Sequence, residues 1–187
     1  MKSVLISIQP KWCELIASGK KTVEVRKTKP KLETPFKVYI YCTKKDNVGL
    51  LSEFPLLVLN KRVCNGKVIG EFVCNTIHNI KLEEDFETGS SSWECGYYAD
   101  EDCLSMEEFE AYLKKGFGYG WHISDLVIYD KPRELSEFYN FCNGLCFDNS
   151  IKYKCIRFNT DNPYACCDHI KPLTRPPQSW CYVEVQG

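Results

Sequence analysis

The sequence contains no apolar run approaching the roughly 18–20 residues that cross a bilayer, which argues against a membrane-spanning helix. Its opening, Met1-Lys2-Ser3-Val4-Leu5-Ile6-Ser7-Ile8, meets Gln9-Pro10-Lys11 too soon for a signal-peptide core, and no small-residue cleavage site follows. A cytoplasmic location is therefore expected. There is no Gly-x-Ser-x-Gly elbow, no phosphate-cradling Gly-x-x-x-x-Gly-Lys loop and no His-Glu-x-x-His pair, which sets aside the commonest hydrolase, nucleotide-triphosphatase and zinc-protease signatures. The acidic run near 83–110 lacks the spacing of a calcium loop and reads as a solvated face. No internal repeat and no low-complexity tract interrupts the chain, so residues 1–187 are expected to form one domain.

Two features are plentiful. Twelve cysteines are many for 187 residues. In a reducing compartment most would be small core residues, and a few could bind metal. Positive charge is concentrated at one end: residues 1–45 hold 11 Lys/Arg against 3 Asp/Glu, and the remainder is net acidic, for an overall charge of −1. A basic end of this kind attracts phosphates, although a merely solvated lysine-rich face has the same composition.

The pattern along the chain is that of an α+β protein, a mixed β-barrel or curled sheet with two or three helices. Residues 3–8 read as a strand. Pro10 suits the first turn of a helix whose Trp12, Leu15 and Ile16 share an apolar face, and Gly19 stops it. Thr22 to Arg26 alternates with period two, placing Val23 and Val25 on one face and Thr22, Glu24 and Arg26 on the other. Further strands are expected over 37–42, 68–77, the end of 121–129 and 180–185. Part of 82–113 reads as loop around Gly89-Ser90-Ser91-Ser92. Ser105 and Glu108 form a capping-box pattern for a helix with Phe109, Tyr112 and Leu113 on its apolar face. Gly116 to Gly120 is expected to end that helix, and Pro132, Leu135 and Phe138 to begin a short segment. Residues 46–62 are ambiguous, and 139–170 form an irregular, cysteine-rich insertion.

The stretch Gly19-Lys20-Lys21-Thr22-Val23-Glu24-Val25-Arg26 resembles the Gly-x-Lys-x-x-Glu-x-Arg motif of the ASCH family, with all four motif positions matched. Ser7-Ile8-Gln9-Pro10-Lys11-Trp12, Tyr119-Gly120-Trp121-His122-Ile123-Ser124-Asp125-Leu126, Arg175-Pro176-Pro177-Gln178-Ser179-Trp180-Cys181-Tyr182-Val183 and the strand from Gly66 to Cys74 are also similar to ASCH proteins, especially those of bacteria and their phages. The resemblance implies a PUA-like barrel with a helix plugging one side, and RNA binding in a cleft beside the motif. Some members are hydrolases, acting on acetylcytidine or linked to RNA cleavage. In the small amidohydrolase group a Thr nucleophile stands three residues after the motif lysine. Here Lys21 matches the lysine and Glu24 takes the nucleophile's place, which argues against that route.

The expected binding residues are Lys11, Trp12, Lys21, Glu24, Arg26, Trp121, His122, Arg175, Gln178 and Ser179, around a cleft for single-stranded RNA, a nucleotide or a nucleoside. Arg26 can hold a phosphate bidentately, and Glu24 can accept from a base amino group or pair with its neighbours. The alternative is a hydrolase with Lys21 and Glu24 as an acid/base pair, and Thr22 or water as nucleophile. A third reading is a protein-interaction or coregulator-like module. No cofactor is required by these readings. Cys142, Cys146, Cys155 and Cys167 form a candidate structural zinc site in the insertion, with free thiols as the alternative.

Overall fold

The structure, a computed structural model, describes residues 2–44, 66–85, 90–94, 102–114, 116–140 and 172–185. The chain begins with β1 (Ser3–Ile8), which is buried along its whole length. That burial follows from its central position. It pairs parallel with β3 (Phe36–Cys42) on one side and antiparallel with β10 (Trp180–Val185) on the other. With β4 (Val68–Cys74), β8 (Ser124–Arg133) and β9 (Phe138–Asn140) these make a six-stranded sheet of order β8-β4-β3-β1-β10-β9. A second, four-stranded sheet has the order β2-β7-β5-β6, from β2 (Val23–Arg26), β5 (Ile77–Asp85), β6 (Ser90–Glu94) and β7 (Phe117–His122).

Val4, Ile6 and Ile8 of β1 join Val38, Ile40, Phe72 and Trp121 in the main core, between the two sheets. Leu5, Tyr39, Tyr41, Val68 and Val183 point the other way, beneath Phe138 and Leu173. The alternation of β1 thus feeds two cores. Helix α1 (Pro10–Ala17), with Pro10 in its first turn, buries Cys13 and Ile16 against the main core. Helix α2 (Met106–Tyr112) carries the full capping box of Ser105 and Glu108, and packs Phe109, with Leu113, on Val25 and Ile80. A 3-10 turn over Leu135–Glu137 completes the helical content among the described residues.

Several local expectations are corrected. The strand expected over 68–77 is two strands. It breaks at Asn75-Thr76, where the chain passes from the six-stranded to the four-stranded sheet. The neighbouring strands turn the same corner at Ile123, between β7 and β8, and Asp125 near the start of β8 has φ 47. The corners lie side by side: the His122 amide donates to the Thr76 carbonyl, and Val73 is paired with Ser124. One long antiparallel pair is thereby bent across both sheets, the usual way a strand pair makes a corner. The described strands form two sheets joined at this corner, consistent with the expected α+β class, and closure into a barrel is not seen among the described residues. Gly116 to Gly120 largely belongs to β7, and Ser90, Ser91 and Ser92 lie in β6, which is ordered by its ladder with β5. Tyr139 and Asn140 finish β9, while the cysteines proposed as zinc ligands, Cys142, Cys146, Cys155 and Cys167, lie outside the described residues.

Candidate functional site

The motif begins where α1 ends. Gly19 adopts φ +73, a left-handed conformation that glycine enters without a Cβ penalty. The next two amides, Lys20 N and Lys21 N, both turn back to donate to the Leu15 carbonyl. That turn fixes the approach to β2. In β2, Glu24 is registered opposite Trp121 and Arg26 opposite Tyr119 of β7, so all four share one sheet face. The other face carries Val23 and Val25, the latter beneath α2.

The three charged motif side chains are buried: Lys21 is 2% exposed, Glu24 6% and Arg26 7%. Glu24 sits between the two cations, with Oε2 3.5 Å from Lys21 Nζ and Oε1 2.9 Å from Arg26 Nη2. Lys21 also donates to the Asp102 carbonyl and lies 5.2 Å from the Trp12 ring centroid. Arg26 Nη2 donates to the Ser7 carbonyl at 2.7 Å. Ser7 Oγ in turn donates to the Pro177 carbonyl, and Ser7 N to that of Ser179. The segment before β10 is therefore tied to the motif through the end of β1. Buried charges are tolerated only when paired and hydrogen-bonded, and here both conditions are largely met.

Two buried donors depart from this accounting. Arg26 Nε and Trp121 Nε1 have no acceptor among the described residues. Leaving a buried donor unpaired costs about 1–3 kcal/mol, so each marks a place where an acceptor from outside the described residues is favoured. The Asp102 carboxyl, which accepts from Leu104 N at 2.9 Å, is raised above the usual carboxylate range, first by burial. Burial likewise raises Tyr112, whose hydroxyl neighbours Arg26.

The other expected residues are distributed around this cluster. Lys11 is exposed, ion-paired with Glu108 at 2.9 Å and 4.2 Å from the Trp12 ring. Trp12 is half-buried against the main core. Trp121 is fully buried, packed edge-on against Phe36 and tilted against Trp180, each with ring centroids 6.0 Å apart. His122 follows it on the opposite face of β7, where Nε2 is 3.2 Å from His78 Nδ1. Burial and then His122 hold His78 below its ordinary value. Gln178 is exposed and Ser179 half-buried beside Ser7. Arg175 instead lines a pocket of about 360 Å³ with Asn140, Leu173 and Cys181, on the side of β10 away from Trp180. The structure thus brings Lys21, Glu24, Arg26 and Trp121 together, with Ser179 linked through Ser7, and places His122 and Arg175 elsewhere. Ser7, Asp102 and Tyr112 were not singled out from the sequence. The first two serve through backbone carbonyls, which leave no residue-type signal. Among the described residues no group of three or more His, Cys, Asp or Glu side chains converges as a metal site.

This arrangement can be set beside known proteins. The ASCH domain model matches residues 6–127, which includes the whole motif, β7 and the corner into β8. The chain belongs to the ASCH domain family. ASCH domains are PUA-like modules associated with RNA binding. Among solved structures, ASCH from Zymomonas mobilis is 18% identical with a TM-score of 0.53, over 97% of this chain and 87% of that one. A tyrosine-to-phenylalanine mutant of that protein gives 18%, 0.52, 98% and 91%. A serine-to-alanine mutant gives 17%, 0.54, 97% and 88%. At these identities the likeness establishes the ASCH fold. No curated protein matches the chain. No helix among the described residues of this ASCH domain is long and apolar enough to cross a membrane.

Proposed function

We propose that this ASCH domain binds single-stranded RNA, or one nucleotide, at the buried face built by Lys21, Glu24, Arg26 and Trp121. The observation that carries the reading is the pair of buried donors without acceptors among the described residues, Arg26 Nε and Trp121 Nε1, on the one sheet face that also holds the motif's ion cluster. A nucleotide offers what such donors need, namely phosphate oxygens and base carbonyls. Arg26 is suited to a phosphate, because its guanidinium orientation is already set by Glu24 and the Ser7 carbonyl. Glu24 acts in this reading as a positioning residue, since each of its oxygens faces a cation. That engagement does not favour the hydrolase reading, in which Glu24 would work as a free base.

The test is a titration of the purified protein against short single-stranded RNA at two salt concentrations, with Trp121→Phe as the comparison. The substitution removes one N–H and keeps an aromatic core residue. Tight, salt-weakened binding that falls about tenfold in Trp121→Phe, with an unchanged circular dichroism spectrum, supports the reading. Binding of equal strength in both proteins places the RNA elsewhere, and no binding in either sinks the proposal. Release of product from RNA or a modified nucleoside, lost in Glu24→Gln, would favour the hydrolase instead.

A further inference from the structure

The basic connection after β2 and the aromatic side chains of β10 meet on one surface. Trp180 Nε1 donates to Thr28 Oγ1 at 3.0 Å, and Lys31 N donates to the Tyr182 hydroxyl at 2.7 Å. These two bonds lay the connection across the face of β10 that carries Trp180 and Tyr182. Lysines stand over two of the half-buried rings: Lys2 Nζ is 3.8 Å from the Tyr182 ring centroid, and Lys29 Nζ is 5.0 Å from that of Tyr119. Lys29 and Lys31 are exposed, and Trp180, Tyr182 and Tyr119 are half-buried. The aromatic row is continuous inward. Tyr182 and Trp180 are 5.4 Å apart, Trp180 and Trp121 are 6.0 Å apart, and Trp121 is the cross-strand neighbour of Glu24. Between Lys27 and Pro35 the connection holds Lys27, Lys29 and Lys31 against the single acidic residue Glu33, and Glu184 of β10 follows Tyr182 by two residues.

A row of aromatic rings flanked by cations is the pairing that single-stranded nucleic acid requires. Bases stack on the rings, and phosphates are held by the lysines, with little demand on sequence. A cation over a ring face is held there by the ring quadrupole, which brings positive charge to the aromatic row. From this geometry we propose that a single strand of RNA runs from the motif across Trp180 and Tyr182, its phosphates on Lys2, Lys29 and Lys31. The inference rests on the nucleotide reading of the motif and extends it. The motif face takes one nucleotide, and the track adds the affinity of the nucleotides that follow. The domain is therefore a reader of single strands several nucleotides long.

The experiment compares each of the four nucleoside monophosphates with a mixed-sequence single-stranded octaribonucleotide. It uses the native protein, Lys2→Ala/Lys29→Ala/Lys31→Ala, and Trp121→Phe. The octamer is expected to bind the native protein at least tenfold more tightly than any monophosphate. In the triple variant that advantage disappears, monophosphate affinity stays within twofold, and the slope of log affinity against log salt falls by about 2, from about 0.7 per lost phosphate contact. An octamer that binds no better than a monophosphate overturns the track, as does an octamer advantage that survives in the triple variant. Octamer binding lost in the triple variant and unaffected in Trp121→Phe keeps the track and refutes the motif reading. Absence of all binding refutes both.

Discussion

Replacing Glu24 with glutamine removes one charge and almost no volume, and the structure assigns it a large effect. Glu24 lies 2.9 Å from one cation and 3.5 Å from the other. At an effective dielectric of about 20, each contact at these distances is worth roughly 5 kcal/mol of Coulomb energy before desolvation is subtracted. The substitution forfeits both and leaves Lys21 and Arg26 buried, mutually repelling and without a counter-charge. Breaking a buried pair by removing one partner costs about 3–5 kcal/mol, and two cations are stranded here, so the upper part of that range is expected. For a domain of this size about 1 kcal/mol shifts the melting temperature by roughly 2–4 °C, which gives a fall on the order of 10 °C. The assay is thermal and urea unfolding followed by circular dichroism. Lys11→Ala is the internal control, because its pair with Glu108 is 48% and 43% exposed and worth under about 1 kcal/mol. A melting temperature for Glu24→Gln within 3 °C of native, or no lower than that of Lys11→Ala, would refute the claim that Glu24 is the buried counter-ion of the motif.

Gly70→Ala is expected to destabilise by about 1–3 kcal/mol or more, because a Cβ there would stand 2.4 Å from the backbone carbonyl oxygen of Val127 and force β4 and β8 apart; urea unfolding checks it. The depressed His78 gives a pH dependence of definite sign. The unfolded chain takes up a proton near pH 6.5 while folded His78 resists it, so its contribution is whole above that pH and is lost as pH falls toward the folded value. The fall in melting temperature between pH 7.5 and 5.5 should be smaller in His78→Gln than in the native protein, and an equal fall contradicts this. Trp121→Phe should lose less stability than its burial alone suggests, because it removes a donor that has no acceptor among the described residues. Denaturation beside the binding titration separates the two effects.

What could be read from the sequence follows the range of the interactions involved. Pro10, Gly19 and the Ser105–Glu108 capping box are local signals, and each appears where its chemistry requires. The strand from 68 failed at Asn75-Thr76 because β-prone composition continues through a corner that only sheet packing creates. Ser90 to Glu94 has loop-like composition, yet it is a strand because β5 supplies its ladder. For the site, period two correctly put Glu24 and Arg26 on one face. It did not reveal their burial, since the partners that make burial tolerable come from Ser7 and Asp102, 19 and 81 residues from the side chains they serve. The same period separates the adjacent Trp121 and His122 onto opposite faces of β7.

The central claim is that the motif face holds a nucleotide through donors that have no acceptor among the described residues, and nuclear magnetic resonance observes those donors directly. The chain has four tryptophans, so few indole N–H signals need assignment. On titration with a short single-stranded RNA, the Trp121 Nε1–H and Arg26 Nε–H resonances should shift and saturate together, at the same RNA concentration. Saturable binding that leaves both resonances unmoved would contradict the account.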